Sequence, residues 1–485
     1  MAKSIKLNFI YNLINTATQF LFPLITFPYV SRIMLADGVG QVNFYQSIIN
    51  YISLLTSLGI PVYAIRKIAM VRDNIKLMNR TVVEILFLHI SLTIIGYIAV
   101  IIIANTIPQV EIGKNLFYII SLSLIFTVIG CEWFYQATEN FKYITSRGMT
   151  IKILSLIFLF SFVKDKQDIL WYGLYIVIGS IGGNLFNLIH LRHFIHKRYI
   201  IWKELRPFSH LLPAVKVAAL VLLSTVYISL NTVILGFLTN NVSVGYYTAA
   251  QKIYIITYSI SNSLTLIMIP RISNLIQKKE YTEIKRLTQK SYNVSILLTL
   301  PMSVGIYFIA PYIIPFFCGD SFYPASETLQ IMSPMIFIVS ICSIIGMQTL
   351  YPMGYLSYMI KATLIGCIVD LIGCFIFIPN MHHNGAALSY LIAEISALVT
   401  LSFMGRKILS IIYFNKSLVP TFLSTIVMAG TLYLIDIYPW NNIIKPFIMI
   451  LAGMTFYIIM LILFKEPETR NLIYYLKQKL SPNHD

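Results

Sequence analysis

Runs of about 20 apolar residues recur from one end of this chain to the other, and a helix of that length crosses a ~30 Å hydrocarbon core. In lipid, backbone polar groups must be paired inside the protein, and each such run does this by forming a helix. The 485 residues are 57% hydrophobic and only 11% charged, with a mean hydropathy of +0.76. Water-soluble domains carry roughly a quarter charged residues. No stretch is long and polar enough for a separate soluble domain. The fold class expected is an all-α polytopic membrane protein.

Gly, Pro, Asn and charge clusters punctuate the runs. They place helices near 9–34, 41–65, 81–105, 115–138, 147–163 and 169–191. A second set follows near 211–238, 244–270, 290–314, 325–350, 358–378, 384–405, 418–437 and 442–464. Fourteen spans are therefore expected. The first, which follows MAKSIKLNFI, reads as a retained span, because no small-residue cleavage site follows its apolar stretch.

Net charge is +17, which in a soluble chain would suggest nucleic acid. Here the basic residues sit in short alternate loops rather than on one folded face. One set of loops holds Arg66, Lys67, Arg72, Lys76 and Arg80, then Lys142 and Arg147, then Arg192, Lys197, Arg198, Lys203 and Arg206. It continues through Arg271, Lys278, Lys279, Lys285, Arg286 and Lys290 to Arg406, Lys407, Lys416 and the tail. The opposite set has little beyond Arg32, Lys114, Lys164, Lys166 and Lys445. The positive-inside bias puts the basic loops and both termini in the cytoplasm, which requires an even number of spans.

Two segments look alike. Residues 27–61 and 231–270 each join an apolar span, a polar turn ending in Val-Gly (Gly40, Gly245), a helix opening with polar residues, and an Ile-Pro exit. Setting Gly40 on Gly245 puts Asn43 against Thr248 and Ser47 against Lys252. Both copies begin on an odd-numbered helix and so have the same orientation. The repeat implies two six-helix lobes related by an axis along the membrane normal, residues 1–208 and 209–416, with two C-terminal helices and a tail in 417–485.

Polar groups inside spans are where function concentrates. Helix 1 carries Asn8, Asn12, Asn15, Gln19 and Thr26 on one helical face; helix 2 carries Asn43, Ser47, Asn50 and Ser57. In the second half, Lys216, Tyr227 and Asn231 share a face, as do Thr248, Lys252, Ser259 and Ser263. With Arg32 at the outer end of helix 1, these stripes describe a cation-lined cavity suited to an anionic substrate. The same amides and hydroxyls also suit helix–helix contacts, and Lys216 can snorkel to headgroups. Asp370 and Glu394 are candidates for ion coupling or for pairing with a cation such as Lys361. Glu84, Glu132 and Glu139 lie nearer the basic loops and read as interfacial.

No glycine-rich phosphate loop ending in Gly-Lys-Ser/Thr, no GxSxG and no HExxH occurs, and the outer loops are too short to house a catalytic site. Neither an enzyme nor a cofactor is expected. The five cysteines form no CxxC pair and read as small apolar residues; His382 and His383, adjacent in an outer turn, are a weak metal signal. No metal site is expected.

The chain resembles the Wzx-type O-antigen flippases, in the polysaccharide transporter branch of the multidrug/oligosaccharidyl-lipid/polysaccharide exporter superfamily. The resemblance rests on Pro28, Tyr29, Val30, Ser31, Arg32, Gly38 and Gly40; on EWFYQATENFKY, with Trp133, Gln136 and Glu139; on Gly236, Gly245, Tyr246, Ala249 and Lys252; and on the passage Ile378 to Glu394. Asp37 replaces the more usual Gly-Pro turn, and Asn231 stands where many relatives have Asp. The resemblance implies a two-lobed core of twelve helices, alternating between inward- and outward-open states in the bacterial inner membrane. It implies an undecaprenyl-pyrophosphate-linked oligosaccharide as substrate, moved to the periplasmic leaflet, with a polysaccharide polymerase and a chain-length regulator as partners beside membrane lipid. Arg32, Lys216 and Lys252 would meet the pyrophosphate or acidic sugars.

Other exporters of the same superfamily, a lipid II flippase or a drug/cation antiporter, are the nearest alternatives. The basic and amide character of the N-terminal half argues against a cation exporter. A membrane-bound polymerase or ligase would need a large outer loop.

Overall fold

The computed structural model describes residues 5–409, 415, 418–441 and 444–480, with side chains at all of these except 5–17, 19–21, 197, 216–228, 264, 409, 472 and 475–480. Among the described residues every regular element is helical. Ten helical runs are long and apolar enough to cross a membrane, eleven when a pair bent by 45° is taken as one. The chain divides into two compact units, Met1–Gly245 and Tyr246–Asp485.

The first unit opens with α1 (Ile5–Ser57), a rod of 53 residues, about 80 Å at 1.5 Å per residue and too long for one crossing. It is interrupted at Leu35, whose φ of 52° and ψ of −174° are not helical. Leu58 and Gly59, at φ 40° and 71°, end the rod, and Pro61 opens α2 (Ile60–Val71), where a first-turn proline loses no helix hydrogen bond. Asn74 caps α3 (Ile75–Thr106) by accepting from the Leu77 amide at 3.1 Å. A short turn, α4 (Pro108–Glu111), leads to α5 (Lys114–Gly130). The run 115–138 is broken at Cys131, φ 41°, before α6 (Glu132–Ala137).

α7 (Phe141–Phe162) is followed by the bent pair α8 (Ile169–Ile181) and α9 (Asn184–Leu191), which flank Gly182 and Gly183. α10 (Leu211–Leu238) and the first turn of α11 (Asn241–Gln277) complete the unit. α1 packs on α3, α5, α7 and α10. Away from it, α3 turns Ile94, Ile95, Ile98, Ile101 and Ile102 outward. An outer face of that composition belongs in lipid.

Gly40 and Gly245, the two glycines that the repeat sets in register, meet here. A Cβ on Gly40 would fall 1.7 Å from the Asn241 carbonyl oxygen, and one on Gly245 would fall 2.0 Å from that of Ala36. Backbone lies on backbone, which only glycine permits.

In the second unit, α12 (Tyr281–Cys318) packs on α13 (Ala325–Ser343), which runs into a π-helical turn at Ile344–Leu350. α14 (Leu356–Leu409) is another rod of double length, 54 residues, interrupted at His382, φ 48° and ψ −123°. α15 (Val419–Ile437) and α16 (Lys445–Leu463) form a hairpin on α12, and α17 (Pro467–Leu480) closes the described chain. At the tip of that hairpin Lys445 lies 3.5 Å from Asp436 and over the ring of Tyr312 at 4.6 Å. One of the few cations of the sparse loops is thereby paired and largely buried.

Candidate functional site

Within the first unit, α1 is met by a cation that the sequence reading passed over. Lys152, on α7, donates from Nζ to Thr18 Oγ1 at 2.9 Å. Its signal was available, since Lys152 stands directly before the apolar run Ile153–Phe162. A partly buried ammonium in such a helix is costly unless it is paired or faces water. The side chains of Asn12, Asn15 and Gln19 lie outside the described residues, as do those of Lys216 and Tyr227.

Of the remaining candidates in this unit, Arg32 is exposed, and its Nη1 donates to the Pro28 carbonyl at 2.9 Å. Tyr29, one turn away, donates to the Val163 carbonyl at 2.8 Å and fixes that end of α1 against the end of α7. Asn43 is half-buried and donates to its own helix at Val39, 2.7 Å away. Ser47 is buried and Asn50 is exposed. Asn231 is buried on α10. The stripe of helix 2 thus passes through three environments rather than lining one.

In the second unit, Thr248 is buried and Lys252 partly buried on α11. The Tyr254 and Tyr258 rings, one turn apart, stack with centroids 6.2 Å apart and planes at 16°. Asp370 is fully buried, and the Cys374 thiol approaches its Oδ1 at 3.9 Å. Glu394, 24 positions further along α14 and beyond the break at His382, is also buried. Near the break in α14, His383 Nδ1 lies 2.8 Å from Thr328 Oγ1, and Asn384 donates to Glu327 at 2.7 Å.

Glu84 departs from its interfacial reading. It is buried, accepts from the Arg206 amide at 2.9 Å and from Arg80 Nε at 3.0 Å, and lies 3.0 Å from His210 Nε2. Tyr63 Oη lies 2.6 Å from His210 Nδ1. A carboxylate only accepts, so Nε2 carries the proton toward Glu84, and Nδ1 pairs with the Tyr63 hydroxyl. The network ties α2 and α3 to the segment that leads into α10. Arg72 and Glu139, exposed near the same loops, pair at 2.8 Å, and Glu139 holds a left-handed φ of 55°.

Residues 5–276 match the family model described as "Polysaccharide biosynthesis protein". A curated relative from Escherichia coli (strain K12), named "Putative O-antigen transporter", is 24% identical over 412 residues, 84% of this chain and 98% of that protein. Among solved structures, "Lipid II flippase MurJ, inward closed conformation" superposes with a TM-score of 0.71 at 17% identity, over 96% of this chain and all of that one. An inward-facing multidrug resistance MATE family transporter of the MOP superfamily superposes with a TM-score of 0.63 at 12% identity, over 82% of this chain and 98% of that one. At these identities the superpositions establish a shared fold. More than half of the chain lies within the family model, and the protein is therefore a member of the polysaccharide biosynthesis protein family.

Proposed function

We propose that this protein is a flippase that moves an undecaprenyl-pyrophosphate-linked oligosaccharide repeat unit, of O-antigen or a similar polysaccharide, from the cytoplasmic to the periplasmic leaflet by alternating access. Membership of the polysaccharide biosynthesis family carries this reading, and the fold shared with a lipid flippase supports it. Rods α1 and α14 each count as two crossings, divided at Leu35 and His382. With the bent pair α8–α9 and each of α3, α5, α7, α10, α11, α12, α13, α15 and α16 counted once, the chain crosses the inner membrane fourteen times, as two six-helix halves in residues 1–208 and 209–416 and two further helices in 417–485, with both termini cytoplasmic.

Arg32, Lys216 and Lys252 supply charge to the pyrophosphate or to acidic sugars, and Lys152, which donates to Thr18 of α1, joins them. Asn12, Asn15, Gln19, Asn43, Ser47, Asn50, Tyr227, Asn231 and Thr248 offer the amides and hydroxyls that sugars need. Asp370 and Glu394 carry a coupling ion. The polysaccharide polymerase and chain-length regulator act on the delivered unit.

Complementation tests the proposal. Expressed with the cognate repeat-unit genes in a strain without its own O-antigen flippase, the protein restores surface polysaccharide. A lipid II flippase is the second reading, because a protein of that title superposes over 96% of this chain. Rescue of a strain depleted of its lipid II flippase, with no surface polysaccharide in the first strain, would replace the proposal with that reading.

A further inference from the structure

The second unit holds a crevice that none of the residues discussed so far explains. It has a volume of about 280 Å³ and lies among α11, α12 and the π-helical turn. Arg271, Arg286 and Lys290 line it together with Ser291, Ser295 and Gln348. Lys252, on the same helix α11, lies 19 residues before Arg271, about 28 Å along a helix. This is a separate place.

Two observations single it out. Gln348 is 1% exposed, yet neither its amide nitrogen nor its amide oxygen has a hydrogen-bond partner. Ser295, 3% exposed, likewise leaves its hydroxyl unpaired. Buried polar groups are nearly always satisfied, and two orphans on one cavity wall point to a polar ligand. Gln348 also sits in a π-helical turn, an element that recurs at functional sites.

The charge around the crevice gives the sign of that ligand. Arg286 pairs with Glu283 at 2.6 Å and Lys290 with Glu468 at 3.5 Å, so three cations face two carboxylates. These pairs are partly solvated and exchange readily for a better anion. A phosphate group accepts several charge-assisted hydrogen bonds at once, which suits two guanidinium groups, an ammonium, an amide N–H₂ and two hydroxyls. Ile267, also in the lining, is 71% exposed, so one wall is apolar and can lie along a lipid chain.

We propose that this crevice is a phosphate-group site, filled either by soluble pyrophosphate or by the headgroup of an anionic phospholipid. It stands independently of the flippase reading. The test uses full-length protein in neutral detergent, titrated with labelled inorganic pyrophosphate against sodium chloride of equal ionic strength. In parallel, the protein is placed in nanodiscs of phosphatidylcholine with or without phosphatidylglycerol, and retained lipid is read by native mass spectrometry.

Saturable pyrophosphate binding identifies the soluble source, and selective retention of phosphatidylglycerol identifies the lipid one. In either case Arg271→Gln/Arg286→Gln and, separately, Gln348→Met weaken binding at least tenfold. Gln348→Met keeps the volume and removes only the unpaired amide, so it remains folded if the exposed arginine variant does not. Absence of both binding events in the wild type overturns the site. So does a Gln348→Met variant that melts higher while binding as the wild type does, because the amide is then only a packing defect.

Discussion

At the scale of single residues, the decisive groups are charges that the bilayer would otherwise penalise. Lys252 is partly buried on α11 beside buried Thr248, and a cation so placed is retained for a purpose. Lys252→Ala is expected to reduce export of surface polysaccharide at least tenfold while membrane expression stays intact, and Lys252→Arg to be milder, since the charge survives. Export at the wild-type level by the alanine variant would remove Lys252 from the substrate path. Asp370, fully buried on α14, is expected to set the pH dependence of transport. Asp370→Asn should flatten the profile in vesicles, and a profile of unchanged shape would make the residue structural. Residue identity was readable wherever an ionisable side chain interrupts an apolar run, as at Lys252, Asp370 and Glu394. What could not be read was partnership. Glu84 meets Arg206 and His210 across more than 120 positions, and no local pattern encodes such a distance.

At the scale of elements, the same limit explains which features of the helices were legible. Apolar length marks where a run exists, but the end of a helix depends on backbone angles that apolar residues do not advertise. Leu35 and Cys131 take positive φ values of 52° and 41°, which glycine would have signalled and these residues do not. Gly40 and Gly245 are the converse case. Their shared register was visible in sequence, and their role follows from close backbone contact. Gly40→Val is expected to cost at least about 1–3 kcal/mol, the usual range for overpacking, because the carbonyl of Asn241 cannot move aside as a flexible side chain could. Thermal unfolding in detergent, followed by size exclusion, measures this. Unchanged stability would mean that the two helices part easily at this crossing. The Glu84 network acts on elements too. Glu84→Ala leaves His210 without its carboxylate, while Arg80 keeps Glu204, and is expected to destabilise the protein by about 3–5 kcal/mol, the range for breaking a buried pair from one side. A melting temperature within experimental error of the wild type would show that the tie between α3 and the start of α10 carries no weight.

At the scale of the whole molecule, the argument turns on charge and parity. The formal charge of +17 is large for a chain with so few charged residues, and alternate loops hold most of it. The potential that opposes moving a cation across the membrane then fixes which loops stay inside. Among the described residues ten helical runs satisfy length and apolarity. Counting crossings demands more, because the proposed topology makes two crossings of each rod of 53 or 54 residues. The breaks at Leu35 and His382 should therefore lie at the membrane surface opposite the basic loops, and both termini should lie with those loops. Cysteines placed singly at positions 3, 36, 74, 382 and 483, in a background without the native five, test this with a thiol reagent that cannot cross the membrane. Labelling from the periplasm at 36 and 382, with 3, 74 and 483 reactive only after the membrane is permeabilised, is the expected pattern. Labelling at one terminus from outside would make the number of crossings odd. Protection at 36 or 382 would instead make that rod a single bent element that does not return through the bilayer, and either result would undo the two-fold arrangement on which alternating access depends.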